Sequence, residues 1–144
     1  MARLPGSVLF ACTLNSVRSP IAAALFRQIH GRRVFVDSVG VRTAPIDPFA
    51  VAVMAEIGID LKDYQPKSFD ELDDTSFDLV ISLSPDAQHT AIELTRSSAC
   101  EVEFWPVYDA AASEGNREER LAAYRMVRDL LKKRILERFP PAAN

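Results

Sequence analysis

A cysteine and an arginine near the start of the chain are spaced to bind and attack a phosphate group. Between Cys12 and Arg18 lie five residues, Thr13, Leu14, Asn15, Ser16 and Val17. A loop of this length at the start of a helix can direct its backbone N–H groups at a tetrahedral oxyanion. The planar guanidinium of Arg18 can bind two oxygens of the same anion. These positive groups also favour the thiolate form of Cys12, so the spacing predicts a phosphate-binding loop, residues 13–18, around a nucleophilic sulfur.

Such an arrangement indicates hydrolysis through a covalent intermediate. In-line attack by the thiolate of Cys12 on phosphorus would form a phosphocysteine, and water would then release inorganic phosphate. Arg18 and the loop N–H groups would stabilise the charge that spreads over the equatorial oxygens. The alternative is an unreactive cysteine buried at a strand end. The position between a strand and a helix favours the anion site.

The leaving group of a phosphate ester needs a proton donor, and two carboxylates could supply one. The donor must follow the carboxyl end of a strand to reach over the loop. Asp109 follows one predicted strand, and we expect it to act as the acid and then as the base. Asp86 follows another strand and is the alternative, although an aspartate after Pro85 is typical of a first helical turn. Asp47, which precedes Pro48, is predicted to serve only at a turn and helix start.

The elements that must position these residues alternate between strand and helix. Short apolar runs predict buried strands at 7–11 and 78–83. A second strand is predicted at 34–36, closed by 37–40, and a fourth strand with mixed faces at 100–105. Helices are predicted to begin at Ser19-Pro20 with Ser19 as N-cap, at Pro48, at Pro85 and after Asn116, and to end at Gly31, at Gly58, near Leu94 and beyond Ile135. This order predicts a three-layer, flavodoxin-like α/β fold with a four-stranded parallel sheet and helices on both faces.

The segment from Cys12 to Pro20 resembles the signature of the low-molecular-weight protein tyrosine phosphatase family, whose superfamily includes thioredoxin-coupled arsenate reductases. The likeness extends to 37–40, to the strand at 77–82 and to the acidic loop before the last helix. It implies that Cys12 is the nucleophile and Arg18 the phosphate ligand. It also implies that Asn15, Ser19 and Ser38 brace the loop and assist the thiolate. The family's acid, an Asp-Pro pair, falls at Asp109, where this chain has Ala110 instead of proline.

Two other functions are compatible with the same loop. Arsenate has the shape and charge of phosphate, but thioredoxin-coupled reductases use two further cysteines near the end of the central strand, where this chain has Ser82 and Ser84. Cys100, the second thiol, is predicted to pack in a strand. A glutathione-dependent reductase would need no second cysteine. A phosphate-recognition domain without turnover is the third possibility, suggested by Ala110.

Specificity for phosphotyrosine would be favoured by aromatic side chains around the loop. Phe49, Trp105 and Tyr108 are the candidates, although each of these residue types more often packs in the core or at the lip of a site than determines specificity. With them we expect the substrate to be a phosphotyrosine-containing protein or a small aryl phosphate.

The composition of the chain argues against several other classes of protein. The 144 residues, 48% hydrophobic and 26% charged, predict one domain, 1–144, with a frayed tail at 139–144. A net charge of −3 argues against a nucleic-acid partner, and no apolar run or leader predicts a membrane or secreted protein. Two cysteines do not make a disulfide framework, and His30 and His89 lack ligand spacing and are predicted on helix surfaces. We therefore expect a cytoplasmic enzyme that needs no metal or cofactor; the sequence does not indicate its oligomeric state.

Overall fold

The computed structural model describes residues 4–72, 76–96 and 99–141, which form a parallel sheet of four strands in the order β2-β1-β3-β4. The strands are β1 (Ser7–Cys12), β2 (Phe35–Gly40), β3 (Leu79–Ser82) and β4 (Glu101–Phe104). The helices are α1 (Arg18–His30), α2 (Pro48–Ala55), α3 (Pro85–Leu94) and α4 (Arg117–Arg138), with short 3₁₀ turns at Phe69–Glu71 and Ala110–Ala112. The predicted four-stranded parallel α/β fold is confirmed.

Both faces of the sheet are covered, which gives the three predicted layers. Alternate residues of a strand point to opposite faces. Phe10 therefore packs in the larger core with α1, α2 and α4, whereas Leu9 packs in a smaller core with Ala87 and Ala91 of α3. The two central strands, β1 and β3, are covered on both faces and are nearly continuous runs of apolar residues, whereas β4 at the edge alternates glutamate with apolar residues.

Strand β2 is longer than predicted. Residues 37–40 were expected to close the strand, but they continue it, and Gly40 pairs with Cys12 at the end of β1. A side chain at residue 40 would bring its Cβ to 2.7 Å from the backbone nitrogen of Asn15 and 2.3 Å from the Arg42 oxygen. The extended strand therefore brings Ser38 and Gly40 directly behind the phosphate loop.

The predicted tail begins too early. Phe139 is fully buried, with its ring 5.3 Å from that of Phe26 and 6.4 Å from that of Trp105. Its carbonyl oxygen lies 2.7 Å from Nε2 of His30, which is itself buried rather than on a helix surface. The aromatic ring continues the core beyond α4, so the predicted tail is wrong at Phe139. Residues 142–144 lie outside the described residues.

Helix α4 is the best predicted element. The Asn116 side chain accepts from the Glu119 N–H at 2.9 Å, and Glu119 accepts in return from the Asn116 N–H at 3.2 Å. This capping box starts the helix where the sequence indicated. The predicted apolar face is buried throughout, at Leu121, Tyr124, Val127, Leu131 and Ile135.

Ion pairs join α4 to neighbouring elements. Arg125 and Arg128 both bind Glu56, which follows α2, at 2.8 Å, and Arg138 binds Glu103 of β4 at 2.7 Å. Hydrogen bonds from Arg125 and then Arg128 lower the pKa of Glu56 to about 2.

Asp47 begins α2, as predicted, by accepting from the Phe49 N–H at 2.8 Å. No helix within the described residues is long and apolar enough to span a membrane.

Candidate active site

Residues 12–18 join the carboxyl end of β1 to α1 and surround a small cavity. The cavity has a volume of about 50 Å³ and is lined by Cys12, Thr13, Leu14, Ser16, Val17, Arg18, Asp109 and Ala111. One water needs on the order of 10–15 Å³, so there is room for a few waters or one small oxyanion. The structure thus brings together three residues that the sequence assigned to one site, Cys12, Arg18 and Asp109.

The carbonyl groups of the loop are anchored from behind by the segment 41–47. The N–H groups of Arg42, Ala44 and Asp47 donate to the carbonyl oxygens of Thr13, Leu14 and Ser16 at 2.9, 3.1 and 3.1 Å. In a trans peptide, the C=O and the next N–H point in opposite directions. Anchoring the carbonyls therefore turns the following N–H groups away from 41–47, as a nest for an oxyanion requires.

Asn15 fixes the curvature of the loop. Its φ of 53° is left-handed, a conformation that asparagine adopts more readily than most residues. The fully buried side chain donates from Nδ2 to Oγ of Ser19 at 2.8 Å. Its Oδ1 accepts from the Tyr64 hydroxyl at 2.8 Å and from the Lys67 N–H at 2.9 Å. Both polar atoms of this amide group therefore bond to residues around the loop.

The sulfur of Cys12 lies beside the first turn of α1. It is 2.9 Å from Oγ of Ser19 and accepts from the Ser19 N–H at 3.4 Å. Because Asn15 donates to Oγ of Ser19, the hydroxyl proton remains available to the sulfur or to the Val39 carbonyl, 3.2 Å away. Donation to sulfur would stabilise the thiolate.

The predicted N-cap of α1 is therefore wrong. The helix begins at Arg18, Val17 stands in the capping position without a side-chain hydrogen bond, and Ser19 lies inside the helix. The hydroxyl that would cap the helix is instead directed at Cys12, Asn15 and Val39.

Ser38 contacts a residue that sequence reasoning missed. Its hydroxyl forms a short hydrogen bond with the hydroxyl of Tyr64, which donates in turn to Asn15. Burial raises the pKa of Tyr64, although its hydrogen bonds with Ser38 and Asn15 act to lower it, so the phenol keeps its proton and remains a donor. Tyr64 lies 49 residues after Asn15, in an irregular segment, and no local spacing could have indicated it.

Arg18 connects the loop with the segment that carries Asp109. The buried guanidinium donates to the Val107 carbonyl at 3.2 Å and to Oγ1 of Thr13 at 3.2 Å. A guanidinium has five N–H donors in a fixed fork. These two contacts hold Arg18 at the edge of the cavity and leave donors that could bind an anion there.

Asp86 accepts three hydrogen bonds through one of its carboxylate oxygens. This oxygen accepts from Thr13 and Ser84, both at 2.8 Å, and from the Ala87 N–H at 3.0 Å. Burial would raise the pKa of Asp86, but the hydrogen bonds from Ser84 and Thr13 outweigh it and lower the pKa below its usual value. A carboxyl group in this environment stays ionised and is a poor proton donor.

Asp109 lines the cavity and is lightly held. Its Oδ1 accepts from the Ala111 N–H at 3.0 Å, which caps the turn Ala110–Ala112. Ala110 is fully buried, and its carbonyl accepts from the Ser113 hydroxyl at 2.6 Å. The turn is therefore anchored although Ala110 replaces the proline that the resemblance led us to expect.

The three aromatic residues proposed as pocket walls lie elsewhere or at the margin. Trp105 is 3% exposed and packs on Phe10, with ring centroids 6.2 Å apart. Tyr108 is 57% exposed and lines a separate groove along α4. Phe49 lies close to the loop, because the N–H of Asp47, the residue that caps its helix, donates to Ser16. Beside Asp109 the cavity wall is Ala111.

The second cysteine is far from the first. Cys100 is partly buried and immediately precedes β4, whose Glu101 pairs with Leu79 of β3, which also pairs with Val8 of β1. Cys12 ends β1 at the opposite, carboxyl end of the strands, roughly 15 Å away along them at about 3.3 Å per residue. A disulfide requires Cα atoms within about 7 Å. The two thiols cannot bond without unfolding of the sheet.

The serines that stand where extra thiols were considered have structural partners. Ser84 donates to Asp86 at 2.8 Å, and Ser82 forms a short hydrogen bond with Gln88. Among the residues that the structure describes, no three histidine, cysteine, aspartate or glutamate side chains are grouped to hold a metal ion.

Comparison with known proteins agrees with this geometry. Residues 7–137 match the protein family described as "Low molecular weight phosphotyrosine protein phosphatase". An arsenate reductase of Halalkalibacterium halodurans is 35% identical over 89% of this chain and 91% of its own length, and one of Bacillus subtilis is 32% identical over 90% and 92%. A solved low-molecular-weight tyrosine phosphatase of T. tengcongensis has a TM-score of 0.72 at 26% identity, covering 88% of this chain and 92% of its own. The chain belongs to the low-molecular-weight phosphotyrosine protein phosphatase family.

Proposed function

We propose that the protein is a cysteine-dependent phosphomonoesterase of the cytoplasm that hydrolyses phosphotyrosine in a protein or a small aryl phosphate. The observation that carries the proposal is that one cavity is lined by Cys12, Arg18 and Asp109. These side chains supply a nucleophile, an anion ligand and a proton donor. No group needed for a hydrolytic cycle has to come from a second protein, a metal or a cofactor.

The cycle has two steps. The loop N–H groups and Arg18 bind the phosphate dianion, and Sγ of Cys12 attacks phosphorus opposite the leaving oxygen. As the P–O bond breaks, Asp109 gives its proton to that oxygen, and the alcohol departs. Asp109 then removes a proton from water, whose oxygen attacks the phosphocysteine. The P–S bond breaks, and inorganic phosphate and the thiolate are released.

In this mechanism Asn15, Ser19 and Ser38 act on the shape and charge of the loop. Asn15 holds the left-handed turn, Ser19 places two donors beside the sulfur, and Ser38 supports Asn15 through Tyr64. A loop fixed before the substrate arrives does not have to reorganise as charge develops, which is where such sites gain most of their rate.

Arsenate reduction is a second candidate, because similar proteins carry that name. The loop cannot distinguish arsenate from phosphate by shape or charge. Reduction of arsenic(V) to arsenic(III), however, takes two electrons from a pair of thiols. Cys100 lies at the opposite end of the strands from Cys12. The second thiol would therefore have to come from another molecule, as it does in a glutathione-dependent enzyme. A domain that only recognises phosphate is disfavoured, because the anchored turn keeps Asp109 at the cavity.

The test measures hydrolysis of p-nitrophenyl phosphate by the wild type, Cys12→Ser and Cys100→Ser. Arsenate reduction is measured in parallel with glutathione and with thioredoxin. We expect Cys12→Ser to lose about 10⁴-fold or more in kcat, because the hydroxyl is a far weaker nucleophile than a thiolate. Cys100→Ser should keep wild-type hydrolysis.

Two results would contradict the proposal. Wild-type hydrolysis by Cys12→Ser would show that the nucleophile is wrong. Negligible esterase activity together with arsenate reduction that depends on Cys12 and added glutathione would replace the phosphatase with the reductase. Loss of thioredoxin-driven reduction in Cys100→Ser would contradict the separation of the two thiols.

A further inference from the structure

Two arginines at the start of α4 stack on one aromatic ring. The guanidinium carbon of Arg120 lies 4.7 Å from the centroid of the Phe49 ring, and that of Arg117 lies 5.4 Å from it. Both distances are within the roughly 6 Å range of a cation–π contact. We call Phe49, Arg117 and Arg120 the cationic rim.

The charges of the cationic rim are not neutralised by ion pairs. Other arginines of α4 are paired with carboxylates, as Arg125 is with Glu56 at 2.8 Å. Within the described chain, no carboxylate lies within 4.0 Å of Arg117 or Arg120, and Nε of Arg120 is buried without a hydrogen-bond partner. A buried N–H group without an acceptor is unfavourable, and such groups are rare in native proteins. The rim therefore has an unused capacity to bind an anion.

The cationic rim adjoins the phosphate loop. The Phe49 N–H donates to Asp47 at 2.8 Å, and the Asp47 N–H donates to the carbonyl of Ser16, which lines the catalytic cavity. The Phe49 ring also packs on Tyr124, with centroids 5.3 Å apart. Two hydrogen bonds thus connect the backbone of Phe49 through Asp47 to Ser16 of the phosphate loop.

The rim also lies on the side of the proposed acid. The Tyr124 hydroxyl donates to Asp47 at 2.7 Å. Burial and the hydrogen bond to Asp47 raise the pKa of Tyr124, Arg120 acts to lower it, and Asp109 acts to raise it. The 3₁₀ turn Ala110–Ala112, which Asp109 caps, packs against α4, the helix that carries Arg117 and Arg120.

We propose that the cationic rim binds a second anionic group of the substrate, an aspartate or glutamate side chain close to the phosphotyrosine of an acidic peptide segment. This inference rests on the proposed phosphatase function and adds a substrate class to it. The whole protein carries a net charge of −3 and would weakly repel an acidic segment. Arg117 and Arg120, which have no carboxylate partner among the described residues, would attract the acidic segment locally despite the net negative charge of the protein.

The experiment compares two phosphotyrosine peptides that differ only in glutamate or glutamine beside the phosphotyrosine. The readout is the ratio of their kcat/KM values for the wild type, for Arg117→Gln/Arg120→Gln and for the control Arg125→Gln. Arg125 lies on the same helix and carries the same charge, but it is paired with Glu56. We expect the wild type to prefer the glutamate peptide by about 3- to 10-fold, as two exposed charge pairs allow, mainly through KM. The double variant should lose the preference, and the control should keep it.

Raising the salt concentration from about 0.05 to 0.5 M should reduce the wild-type preference, because exposed charges are screened. Equal kcat/KM values for the two peptides in the wild type, or a preference that survives in the double variant, would overturn the proposal.

A second measurement separates the rim from the phosphatase function. Binding of both peptides to Cys12→Ser, measured by fluorescence anisotropy, needs no turnover. One outcome is that the wild type hydrolyses neither peptide while Cys12→Ser binds the glutamate peptide more tightly than the glutamine peptide. That result would support anion binding by the cationic rim and contradict the proposed hydrolytic function. Equal affinity of Cys12→Ser for the two peptides would contradict anion binding by the cationic rim without bearing on the proposed hydrolytic function. Thermal melting of the double variant shows whether it is folded.

Discussion

Asn15 belongs to the loop that surrounds the cavity, Asp109 lines the cavity, and the protein holds these two residues in different ways. Asn15 is fully buried, and its amide bonds to Ser19, Tyr64 and Lys67. Asp109 is partly exposed, and its carboxylate is capped by a single N–H, that of Ala111.

The difference follows from what each side would do in the proposed reaction. Anion binding gains from donors that are already in place, since no energy is then spent on reorganising them in the transition state. A general acid must exchange its proton with the leaving group, water and solvent in each cycle. Many hydrogen bonds to the carboxylate would keep it ionised, as they do for Asp86. The contrast suggests a rigid anion site and an adaptable proton donor.

The largest effect should come from exchanging the lightly held carboxylate for an amide. Asp109→Asn should lower kcat by about 10²–10⁴-fold, because the leaving oxygen then receives no proton. The loss should be greater for phenyl phosphate than for p-nitrophenyl phosphate, whose leaving group needs less assistance. Steady-state kinetics with both esters measures this difference.

The matched control is Asp86→Asn, which removes a carboxylate that binds Thr13 of the same loop. It should lower kcat far less than Asp109→Asn, because Asp86 is occupied by Thr13 and Ser84. If the two effects were reversed, Asp86 would be the acid and the contrast drawn above would be wrong.

A smaller effect should come from loosening the rigid side. Tyr64→Phe removes the hydroxyl that joins Ser38 to Asn15, and we expect kcat/KM to fall by about 10-fold, equivalent to about 1.4 kcal/mol, the size of a lost buried hydrogen bond. The acidic limb of the pH profile should move to higher pH, because a loosened Asn15 supports Ser19 and the thiolate less well.

The pH profile distinguishes positioning of the thiolate from a general loss of stability. Tyr108→Phe is the control, since its hydroxyl belongs to a side chain that is 57% exposed. An unchanged pH profile in Tyr64→Phe, with only a lower melting temperature, would reduce Tyr64 to a packing residue.

The smallest effect on catalysis is expected from a region that joins helices rather than the loop. Glu56→Gln removes the partner of Arg125 and Arg128 and should lower the melting temperature by a few degrees at most, without changing kcat/KM. The pKa of Glu56 is lowered from 4.5 to about 2 in the folded protein. Its contribution is therefore fully present above about pH 4.5 and is lost as the pH falls toward 2.

Melting curves of the wild type and Glu56→Gln from pH 7 to pH 2 measure this contribution. The gap between the two proteins should close as Glu56 is protonated. A gap that stays constant with pH, or a loss of kcat/KM, would show that the helix pair and the catalytic loop are not independent.

Local patterns were sufficient for the elements that follow from local physics. The capping box and apolar spacing of α4 predicted its start and its buried face, since both depend on residues three or four positions apart. The central strands β1 and β3 were found because each is a short apolar run. Ser19 was misread, because serine before proline is typical of a helix start and its partners, Cys12 and Val39, are distant in sequence.

The amino-acid sequence by itself determined the chemistry available to this protein, because a thiol, a guanidinium and a carboxylate are properties of single residues and Cys12 and Arg18 are neighbours in the chain. Only the tertiary structure decided which groups meet. It brings the Tyr64 hydroxyl to Asn15 and places Asp109 and Arg18 around one cavity. It places Cys100 at the opposite end of the strands from Cys12. It also stacks Arg117 and Arg120 on the ring of Phe49. These relations depend on strand order and helix packing, which join residues tens of positions apart.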